Sequence, residues 1–492
     1  MSDGSREDLP IVAAAALGGP VAASKDEQER TAMPMTINDT TPAVRGGAPP
    51  GPRGNIVLGS IGDIYRDRLR FVLDVARIYG DVAQYRVAHM RMYQVNHPAG
   101  VGRLLHDNHR NYSKDVPVFG TLKLFLGNGL FTSDGDFWRR QRRLAQPAFH
   151  RRRVAAFAEL MTDATEEMLE RWQARATLGQ PLEVAQEFMR LTMEVVTRAL
   201  FSTSVERDID KIGRAITTLL DDVTFRFTFP FYPPLRVPTP RNRRFLAARA
   251  TLDGIVYRII AERRHRPDEH EDLLALLMEA RDEQTGEGMS DRQLRDEVVT
   301  LFLAGHETTA TALTWASYLL STHVAVARRL YAEVDETLKG RVPTASDLPN
   351  LTYTRMVIDE TLRLYPPAWI TNRRAIEDDT VCGYRIPADA TVSISPYVTH
   401  RDPRLWENPE SFDPDRFVPE RSVGRPHYPY FPFGGGPRQC IGKGFALMES
   451  TLVLALLAQR HELHLVPGRR VEVQALATLR PRCGMWMAAH PR

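Results

Sequence analysis

The chain has 492 residues, of which 43% are hydrophobic and 25% are charged, and its formal net charge at pH 7 is +3. This composition is typical of a globular protein with a large core, and the small net charge gives no overall attraction to nucleic acid, so we expect no nucleic-acid partner. The 3 cysteines, Cys382, Cys440 and Cys483, are too few and too scattered for a disulfide framework or for a zinc or iron–sulfur site built on cysteine.

The N-terminal segment, residues 1–47, lacks aromatic residues and any sustained hydrophobic period, which predicts a disordered tail. Met33 or Met35 could equally be the first residue of the protein. The apolar run at residues 11–23 is short, interrupted by Gly-Gly-Pro and preceded by acidic residues, which argues against a cleaved secretion signal. No window offers the roughly 20 apolar residues of a spanning helix, so we expect no transmembrane anchor and a cytoplasmic location.

The folded part is expected to cover residues 48–492, beginning with a proline-rich stretch. A helical pattern runs from Asp67 to Tyr79, and the alternating residues 81–98 then predict a β-hairpin. Residues 111–129 mix Pro, Gly and bulky apolar residues without a clean period. They therefore predict an irregular loop.

A strongly basic helix is predicted after this loop, around the sequence DFWRRQRRLA. Trp138 and Arg142 stand four residues apart and therefore share one face of it. An arginine can hold a carboxylate through charge-assisted hydrogen bonds, and an indole N–H can donate another. The alternative interpretation is a solvated basic helix with a core tryptophan. The other arginines of this region are Arg139, Arg140, Arg143, Arg151, Arg152 and Arg153.

Long amphipathic helices are predicted for residues 155–265, with an interruption near residues 225–244, where phenylalanines and prolines predict an apolar loop or lid. A further helical pattern covers residues 291–323 and would span roughly 50 Å at about 1.5 Å per residue. Its centre contains Glu307 and Thr308 among apolar neighbours, and buried polar groups need partners or a task. A hydroxyl bonded back to its own helix is the alternative.

Three charged residues predict a structural network. Glu360 and Arg363 are three residues apart on the next predicted helix, and Arg416 follows in the stretch FDPDRF. If these groups are buried together, each needs its partners, because an isolated buried ion is strongly unfavourable. Charge pairs with the same spacing are common on exposed helices, so the pair alone indicates little.

The stretch FPFGGGPRQCIGKGFALM, residues 431–448, places Cys440 in a glycine-rich loop before a predicted helix. The glycines allow tight turns and close approach to a flat partner, and main-chain N–H groups with the positive end of the helix would stabilise a thiolate. These properties suit a metal ligand. The alternative is an ordinary buried thiol.

In order and spacing, these motifs resemble those of the cytochrome P450 family. The residues that fit the haem-binding pattern F-x-x-G-x-R-x-C-x-G are Phe433, Gly436, Arg438, Cys440 and Gly442. The residues that fit the oxygen-binding pattern (A/G)-G-x-(D/E)-T-(T/S) are Ala304, Gly305, Glu307, Thr308 and Thr309. Trp138 with Arg142 fits W-x-x-x-R, and Glu360 with Arg363 fits E-x-x-R.

The resemblance implies a mainly α fold with small β-sheets, the cytochrome P450 fold, and non-covalent haem b with Cys440 as the thiolate ligand of iron. The residues implied at the cofactor are Trp138, Arg142, Arg373, Phe433, Arg438, Cys440 and Gly442, with Arg374 as a less favoured substitute for Arg373. Glu307 and Thr308 are implied as catalytic groups, and Glu360, Arg363 and Arg416 as a structural network. The implied substrate pocket comprises Val118, Phe119, Leu122, Ala304, Ala368, Trp369, Ile370 and the aromatic residues of 225–235.

The implied reaction is a monooxygenation, in which one oxygen atom of O2 enters a lipophilic small molecule such as a fatty acid, terpenoid, steroid or macrolide. Electrons are expected from separate proteins, a ferredoxin or flavodoxin with its reductase, steered by exposed arginines of the basic helix and by Lys443. Haem-thiolate isomerases, dehydratases and peroxygenases share the cysteine loop but often lack the acid–alcohol pair, and a haem-binding sensor would not need it. Its presence favours a monooxygenase.

Overall fold

The computed structural model describes residues 47–202, 208–228, 232–265 and 272–492. Apart from Gly47, the predicted disordered tail lies outside the described residues. The described part of the chain is mostly helical with small β-sheets, as the sequence predicts.

Helices form most of the described structure. None of them is both long enough and apolar enough to cross a membrane. In chain order they are α1 (Ile61–Arg66), α2 (Arg68–Tyr79), α3 (Pro98–Gly102), α4 (Pro117–Leu126), α5 (Gly135–Ala145), α6 (Arg151–Ala155), α7 (Ala158–Thr177), α8 (Val184–Phe201), α9 (Ile209–Thr228), α10 (Pro240–His265), α11 (Leu273–Glu279), α12 (Asp291–Thr322), α13 (Val324–Leu338), α14 (Thr352–Leu364), α15 (Pro396–Thr399), α16 (Pro419–Ser422) and α17 (Lys443–Arg460).

The strands form small sheets beside the helices. The largest sheet has the order β1-β2-β8-β5-β3, in which β2 and β8 run parallel and the other pairs run antiparallel. The other sheets are β4-β12-β9, β10-β11 and β6-β7. The strands are β1 (Val82–Val87), β2 (Met90–Val95), β3 (Tyr112–Ser113), β4 (Leu182–Glu183), β5 (Thr371–Ala375), β6 (Asp379–Val381), β7 (Tyr384–Ile386), β8 (Thr391–Ile394), β9 (His461–Leu465), β10 (Val473–Ala475), β11 (Leu479–Pro481) and β12 (Trp486–Pro491).

Helix α12 is the central element of the core. At its start, the Ser290 hydroxyl accepts a hydrogen bond from the Gln293 N–H, and the Gln293 side chain accepts one from the Ser290 N–H. This capping box satisfies two N–H groups that a helix start leaves free. The helix packs against α8, α10, α14 and α17. It matches the predicted helix at residues 291–323. Because the helix lies at the centre of the core, the polar residues halfway along it are in the interior.

The predicted irregular loop at residues 111–129 contains helix α4 instead. Pro117 occupies the first turn, where its missing N–H costs no hydrogen bond, and Gly127 ends the helix with a φ of 68°. Its buried residues recur every three or four positions, but Val118, Gly120 and Leu124 leave few polar residues on the other side, so the amphipathic period is weak in the sequence. Its buried residues are Phe119, Leu122, Phe125 and Leu126.

The predicted apolar loop near residues 225–244 is shorter in the structure. Helix α9 continues to Thr228 and α10 begins at Pro240, so residues 232–239 are the described part of the connection. The Asn242 side chain organises it by donating to the carbonyl oxygens of Pro234 at 2.9 Å and Val237 at 2.8 Å. Proline is tolerated at the start of α10, which explains why a proline-rich stretch can lead directly into a helix.

Candidate functional site

Two glycines shape the loop that carries Cys440. Gly434 and Gly436 have φ of 68° and 61°, which residues with a side chain rarely adopt. A Cβ at Gly436 would also lie 1.9 Å from the carbonyl oxygen of Leu105. The Cys440 N–H donates to the carbonyl oxygen of Phe433 at 3.0 Å, so the loop folds back on itself just before α17 begins. Cys440 is thereby held at a fixed place.

The surroundings of the Cys440 thiol act on its pKa in two directions. Burial raises the pKa, whereas a hydrogen bond from the Gly442 N–H and the charges of Arg142 and Lys443 lower it, and burial prevails. The sequence-based expectation counted only the stabilising groups and left out this cost of desolvation. A cation bound at the sulfur would favour the thiolate. Part of the residue remains accessible.

A group of buried cations lies beside this loop, and we call Lys114, Arg373 and Arg438 the cationic group. Lys114 and Arg373 are 9% and 7% exposed, and the Arg438 side chain is 10% exposed. Nη1 of Arg373 donates to the Thr371 hydroxyl at 3.0 Å, and Nζ of Lys114 donates to the Phe131 carbonyl oxygen at 2.5 Å. Both acceptors are neutral, so neither cation is compensated by these bonds.

The cationic group carries an excess of positive charge. Burial and then the neighbouring Arg373 and Arg438 hold the pKa of Lys114 well below its usual range, and burial and Arg438 lower the pKa of Arg373 to about 10. Among the described residues, the carboxylate that opposes them is that of Asp134, which pairs with Arg438. Buried charges need compensation, so this excess would be stabilised by an anionic ligand. The propionates of haem supply that charge, and the residues present therefore fit this cofactor.

Trp138 and Arg142 contact the cysteine loop from α5. The Trp138 ring packs against the Arg438 guanidinium, with 4.1 Å between the guanidinium carbon and the ring centroid. Nη1 of Arg142 donates to the carbonyl oxygen of Gln439 at 3.0 Å. Both residues of this helical face therefore contact the loop, Trp138 at Arg438 and Arg142 at Gln439.

Lys114 was not predicted from the sequence. It stands between Ser113 and Asp115, and no local sequence pattern marks it as buried. Arg374, the less favoured alternative to Arg373, lies apart from the cationic group, because its guanidinium pairs with Asp115 at 2.6 Å and with Asp389 at 2.7 Å. Of the two neighbouring arginines, only Arg373 is thus buried beside Lys114.

The polar centre of α12 is hydrogen-bonded within the protein. Glu307 is 6% exposed, and its Oε1 accepts a hydrogen bond from the Thr478 hydroxyl at 2.6 Å. The Thr308 hydroxyl donates back to the carbonyl oxygen of Ala304 at 2.7 Å, which leaves the helix regular. Ala304 is exposed and Thr308 is half-buried, so this face of α12 stays accessible. The sequence pattern did not predict Thr478.

Glu360, Arg363 and Arg416 form a buried charge network. Nε and Nη2 of Arg363 donate to the two carboxylate oxygens of Glu360 at 2.6 and 2.8 Å, and Nε of Arg416 donates to Glu360 at 3.2 Å. The remaining donors of Arg363 reach the carbonyl oxygens of His400, Pro409 and Ser411. The predicted network is therefore present with the partners that its burial requires.

The predicted substrate-pocket residues separate into accessible and buried ones. Ala304 and Ala368 are exposed and Val118 is half-buried. Trp369 is buried, packs into an apolar cluster beside the largest sheet, and donates its indole N–H to the carbonyl oxygen of Leu476 at 2.9 Å, so its place in the pocket stays a prediction. Ile370 packs against the same cluster. The other members of that cluster are Phe71, Val72, Val75, Ala83, Tyr85, Val398 and Leu479.

Phe119 and Phe131 connect the predicted pocket to the cationic group. Phe119 is buried on α4, with its ring centroid 5.1 Å from Nζ of Lys114, and it makes an edge contact with the Phe131 ring at 5.5 Å. Phe131 was not predicted, although it is 45% exposed between buried neighbours. Leu122 is buried on the same helix.

The aromatic residues of 225–235 lie partly outside the described residues. Of those described, Phe225 and Tyr232 contact each other edge to face, with 5.2 Å between the ring centroids. Their contact joins the last turns of α9 to the described residues before α10.

The basic residues of α5 are largely paired within the protein. Arg139 pairs with Asp136, Arg140 with Glu287 at 3.4 Å, and Arg143 with the buried Asp282 at 2.9 Å. Arg139 and Arg143 are exposed as predicted, but these acidic partners, from the helix start and from residues 282–287, compensate part of their charge. Arg151, Arg152, Arg153 and Lys443 are exposed and have no ion pair with a described residue.

Comparisons with known proteins agree with this geometry. The family model of cytochrome P450 matches residues 49–481. Cyclooctatin synthase of Streptomyces melanosporofaciens is 41% identical over 415 residues, which are 84% of this chain and 88% of that protein. Cyclooctat-9-en-7-ol 5-monooxygenase of the same organism is 38% identical over 413 residues, with the same coverage of 84% and 88%.

Two further comparisons extend the likeness. Pentalenene oxygenase of Streptomyces avermitilis is 33% identical over 424 residues, which are 86% of this chain and 93% of that protein. The crystal structure of the cytochrome P450DA haem domain superposes with a TM-score of 0.83 at 29% identity, covering 91% of this chain and 98% of that one.

Proposed function

The chain belongs to the cytochrome P450 family and is a cytochrome P450 monooxygenase, and on this premise we propose that residues 48–492 form one haem-binding unit that oxidises a terpenoid-type substrate. The observation that carries the proposal is the cationic group of buried side chains beside the Cys440 loop. Such an excess of buried positive charge has no structural use in the protein alone. It is the complement of a flat cofactor that carries carboxylates.

The cofactor is haem b, held by this chain through three kinds of contact. Cys440 supplies the thiolate ligand of the iron, and the glycines of its loop allow the close approach of a flat ring. Lys114, Arg373 and Arg438 neutralise the propionates, with Trp138 and Arg142 bracing the loop. When bound, a thiolate-ligated haem activates dioxygen for transfer of one oxygen atom to a substrate.

Glu307 and Thr308 supply protons on the accessible face of α12. The Thr308 hydroxyl can turn from the Ala304 carbonyl oxygen and donate outward, away from its helix. Successive side chains of a helix do not face each other, so Glu307 would return the proton through a bound water, while the hydrogen bond from Thr478 fixes the carboxyl group. Two exchangeable groups in fixed positions form a short proton relay.

The substrate is an unsaturated hydrocarbon or its alcohol, of terpenoid type. Two relatives are named for such molecules, cyclooctat-9-en-7-ol and pentalenene. The accessible residues of the predicted pocket, Ala304, Ala368 and Val118, are apolar, and the Phe131 ring lies beside Lys114. Such a lining favours a hydrocarbon skeleton over the carboxylate of a fatty acid or the many polar groups of a macrolide.

Electrons come from an acidic redox protein, a ferredoxin or flavodoxin with its reductase. Helix α6, which carries Arg151, Arg152 and Arg153, packs against α17, which begins at Lys443 close to Cys440. These exposed cations therefore lie on the surface beside the cysteine loop. Complementary charge on a partner would speed its association there.

The proposed function is tested by turnover under isotopically labelled O2. The enzyme is supplied with a surrogate ferredoxin, its reductase and NADPH, and is offered cyclooctat-9-en-7-ol, pentalenene and a fatty acid. A product that carries one labelled oxygen atom from a terpenoid supports the proposal. A rearranged or dehydrated product without label would instead indicate an isomerase or a dehydratase, and binding without turnover would indicate a sensor.

A further inference from the structure

His400 lies between two motifs that are far apart in the sequence. It follows helix α15 and is 0% exposed. Its ring contacts those of Tyr430 and Phe431, with centroids 5.2 and 5.4 Å away. On its other side is Arg363, whose Nη1 donates to the His400 carbonyl oxygen at 2.8 Å. The imidazole therefore joins the buried charge network to the first residue of the cysteine loop.

Two main-chain groups fix the protonation state of this ring. Nδ1 lies 3.2 Å from the carbonyl oxygen of Arg363, and Nε2 lies 2.9 Å from the N–H nitrogen of Phe431. A carbonyl oxygen can only accept a hydrogen bond and a main-chain N–H can only donate one. Nδ1 must therefore carry the hydrogen, and Nε2 must offer its lone pair. The ring is neutral and has one tautomer.

The charges around His400 also oppose its protonation. Burial, and then the cations of Arg363 and Arg401, hold the pKa of His400 well below its usual range. The nearby acids are engaged elsewhere. Glu360 pairs with Arg363, and Glu410 pairs with Arg401 at 3.1 Å. The remaining acid beside this cluster is Asp359, which accepts a hydrogen bond from the Tyr430 hydroxyl at 2.9 Å.

The bond from Phe431 to His400 is the first of a series that shapes the loop. The Gly434 N–H donates to the Phe431 carbonyl oxygen at 2.9 Å, and the Cys440 N–H donates to the Phe433 carbonyl oxygen at 3.0 Å. Because these bonds follow one another along the chain, the position of Phe431 sets where the loop starts. His400 thus determines that start relative to α14.

We propose that His400 is a positioning residue for the Cys440 loop, and that its protonation releases Phe431 and causes the loss of thiolate ligation in acid. A protonated ring would direct an N–H at the Phe431 N–H, so the bond that anchors the loop would become repulsive. The proposal rests on the proposed ligation of haem by Cys440. It adds a reason, within this chain, for acid to inactivate the enzyme.

The test compares His400→Gln with His400→Asn in the haem-loaded protein. The glutamine amide extends to the position of Nε2, so it can accept from the Phe431 N–H but does not titrate. The asparagine amide stops at the position of Nδ1 and leaves the Phe431 N–H without a partner. His461→Gln is the control, because His461 is also buried but neither of its ring nitrogens has a partner among the described residues.

The readout is the Soret band of the reduced carbon monoxide complex, followed from neutral to acid pH, with far-ultraviolet circular dichroism as a measure of folding. His400→Gln should keep the red-shifted band of thiolate ligation to lower pH than the parent and the control. His400→Asn should lose part of that band already at neutral pH while remaining folded. Equal acid loss in parent, His400→Gln and control, or a full band in His400→Asn, would overturn the proposal.

A different result would contradict the proposed function itself. If the parent lacked the red-shifted band at neutral pH, ligation by Cys440 would be wrong, and the role of His400 would fall with it. A parent with a normal neutral band and unaltered variants would overturn the role of His400 alone.

Discussion

The Thr478 hydroxyl donates a hydrogen bond to Oε1 of Glu307 at 2.6 Å, although the two residues are 171 positions apart. The contact joins the turn before β11 to the centre of α12. Glu307 is buried, and a buried carboxyl group without a donor is costly. Thr478 is therefore the partner that keeps Glu307 in place beside Thr308.

Replacing Thr478 should uncouple oxygen activation from product formation. In Thr478→Ala the Glu307 carboxyl group loses its donor and its fixed orientation, so proton supply to Thr308 should fall. We expect less product per NADPH and more hydrogen peroxide, in the same direction as for Thr308→Ala, with haem content unchanged. Thr478→Ser keeps a hydroxyl and is the control. Equal coupling ratios in Thr478→Ala and the parent would remove Thr478 from the proton supply.

Replacing Lys114 should have opposite effects on the haem-free and haem-loaded protein. Lys114→Met removes a buried cation next to Arg373 and Arg438, so the free energy of unfolding of the haem-free chain should rise, by about 1–2 kcal/mol. Haem should dissociate faster, because a propionate partner is lost. Lys211→Met, at a lysine whose ion pair with Asp208 lies at the surface, should change both quantities little. Urea unfolding and haem transfer to apomyoglobin measure the two effects, and a lower free energy of unfolding with unchanged haem release would contradict the assignment.

Glu297 should give the fold a pH dependence above the usual range of carboxyl groups. It is 1% exposed, and burial raises its pKa from 4.5 to about 8, although the Leu130 N–H donates to its Oε2 at 2.9 Å. Between these two values the folded chain holds a proton that the unfolded chain releases. This contribution to stability is therefore complete below pH 4.5 and is lost as the pH rises to about 8.

Glu297→Gln tests this effect because the amide still accepts from the Leu130 N–H but cannot ionise. The variant should lose less stability than the parent between about pH 5 and pH 8, measured by urea unfolding. Glu283→Gln, at an exposed glutamate, should behave as the parent does. The same slope in Glu297→Gln and the parent would show that Glu297 does not bind the extra proton.

Reversing charge on α6 should slow electron transfer from an acidic partner. Arg152→Glu with Arg153→Glu should reduce the rate of haem reduction most at low salt, where screening is weak, while peroxide-supported turnover survives. The matched control is Arg243→Glu with Arg244→Glu, which makes the same change of charge at exposed arginines of α10. If the haem of both double variants were reduced at the same rate at low salt, the docking surface would lie elsewhere.

How far the sequence predicts this protein depends on the range of the interactions involved. Helix α12 and the β1-β2 hairpin were predicted because their periods are local properties. Glu360 and Arg363 were predicted because one turn of helix sets their distance. Helix α4 was missed because Val118, Gly120 and Leu124 leave few polar residues opposite its buried face. Neither the burial of Lys114 nor the packing of Trp369 in its apolar cluster produces a local pattern in the sequence.

The arginines of α5 illustrate the same limit. Their clustering was evident in the sequence, but Arg140 and Arg143 pair with Glu287 and Asp282, which lie about 140 positions away. Only the folded chain shows that these charges are compensated. The bond between Thr478 and Glu307, and that between Phe431 and His400, are long-range contacts of the same kind.

The most direct test of the account is the carbon monoxide complex of the reduced protein. Cys440 is held by its own loop at the start of α17, whereas Cys382 and Cys483 lie in other parts of the fold. The parent, Cys382→Ser and Cys483→Ser should all show the red-shifted Soret band of a thiolate-ligated haem, and Cys440→Ser should not. A red-shifted band that persists in Cys440→Ser and disappears in either of the other two variants would contradict the central claim.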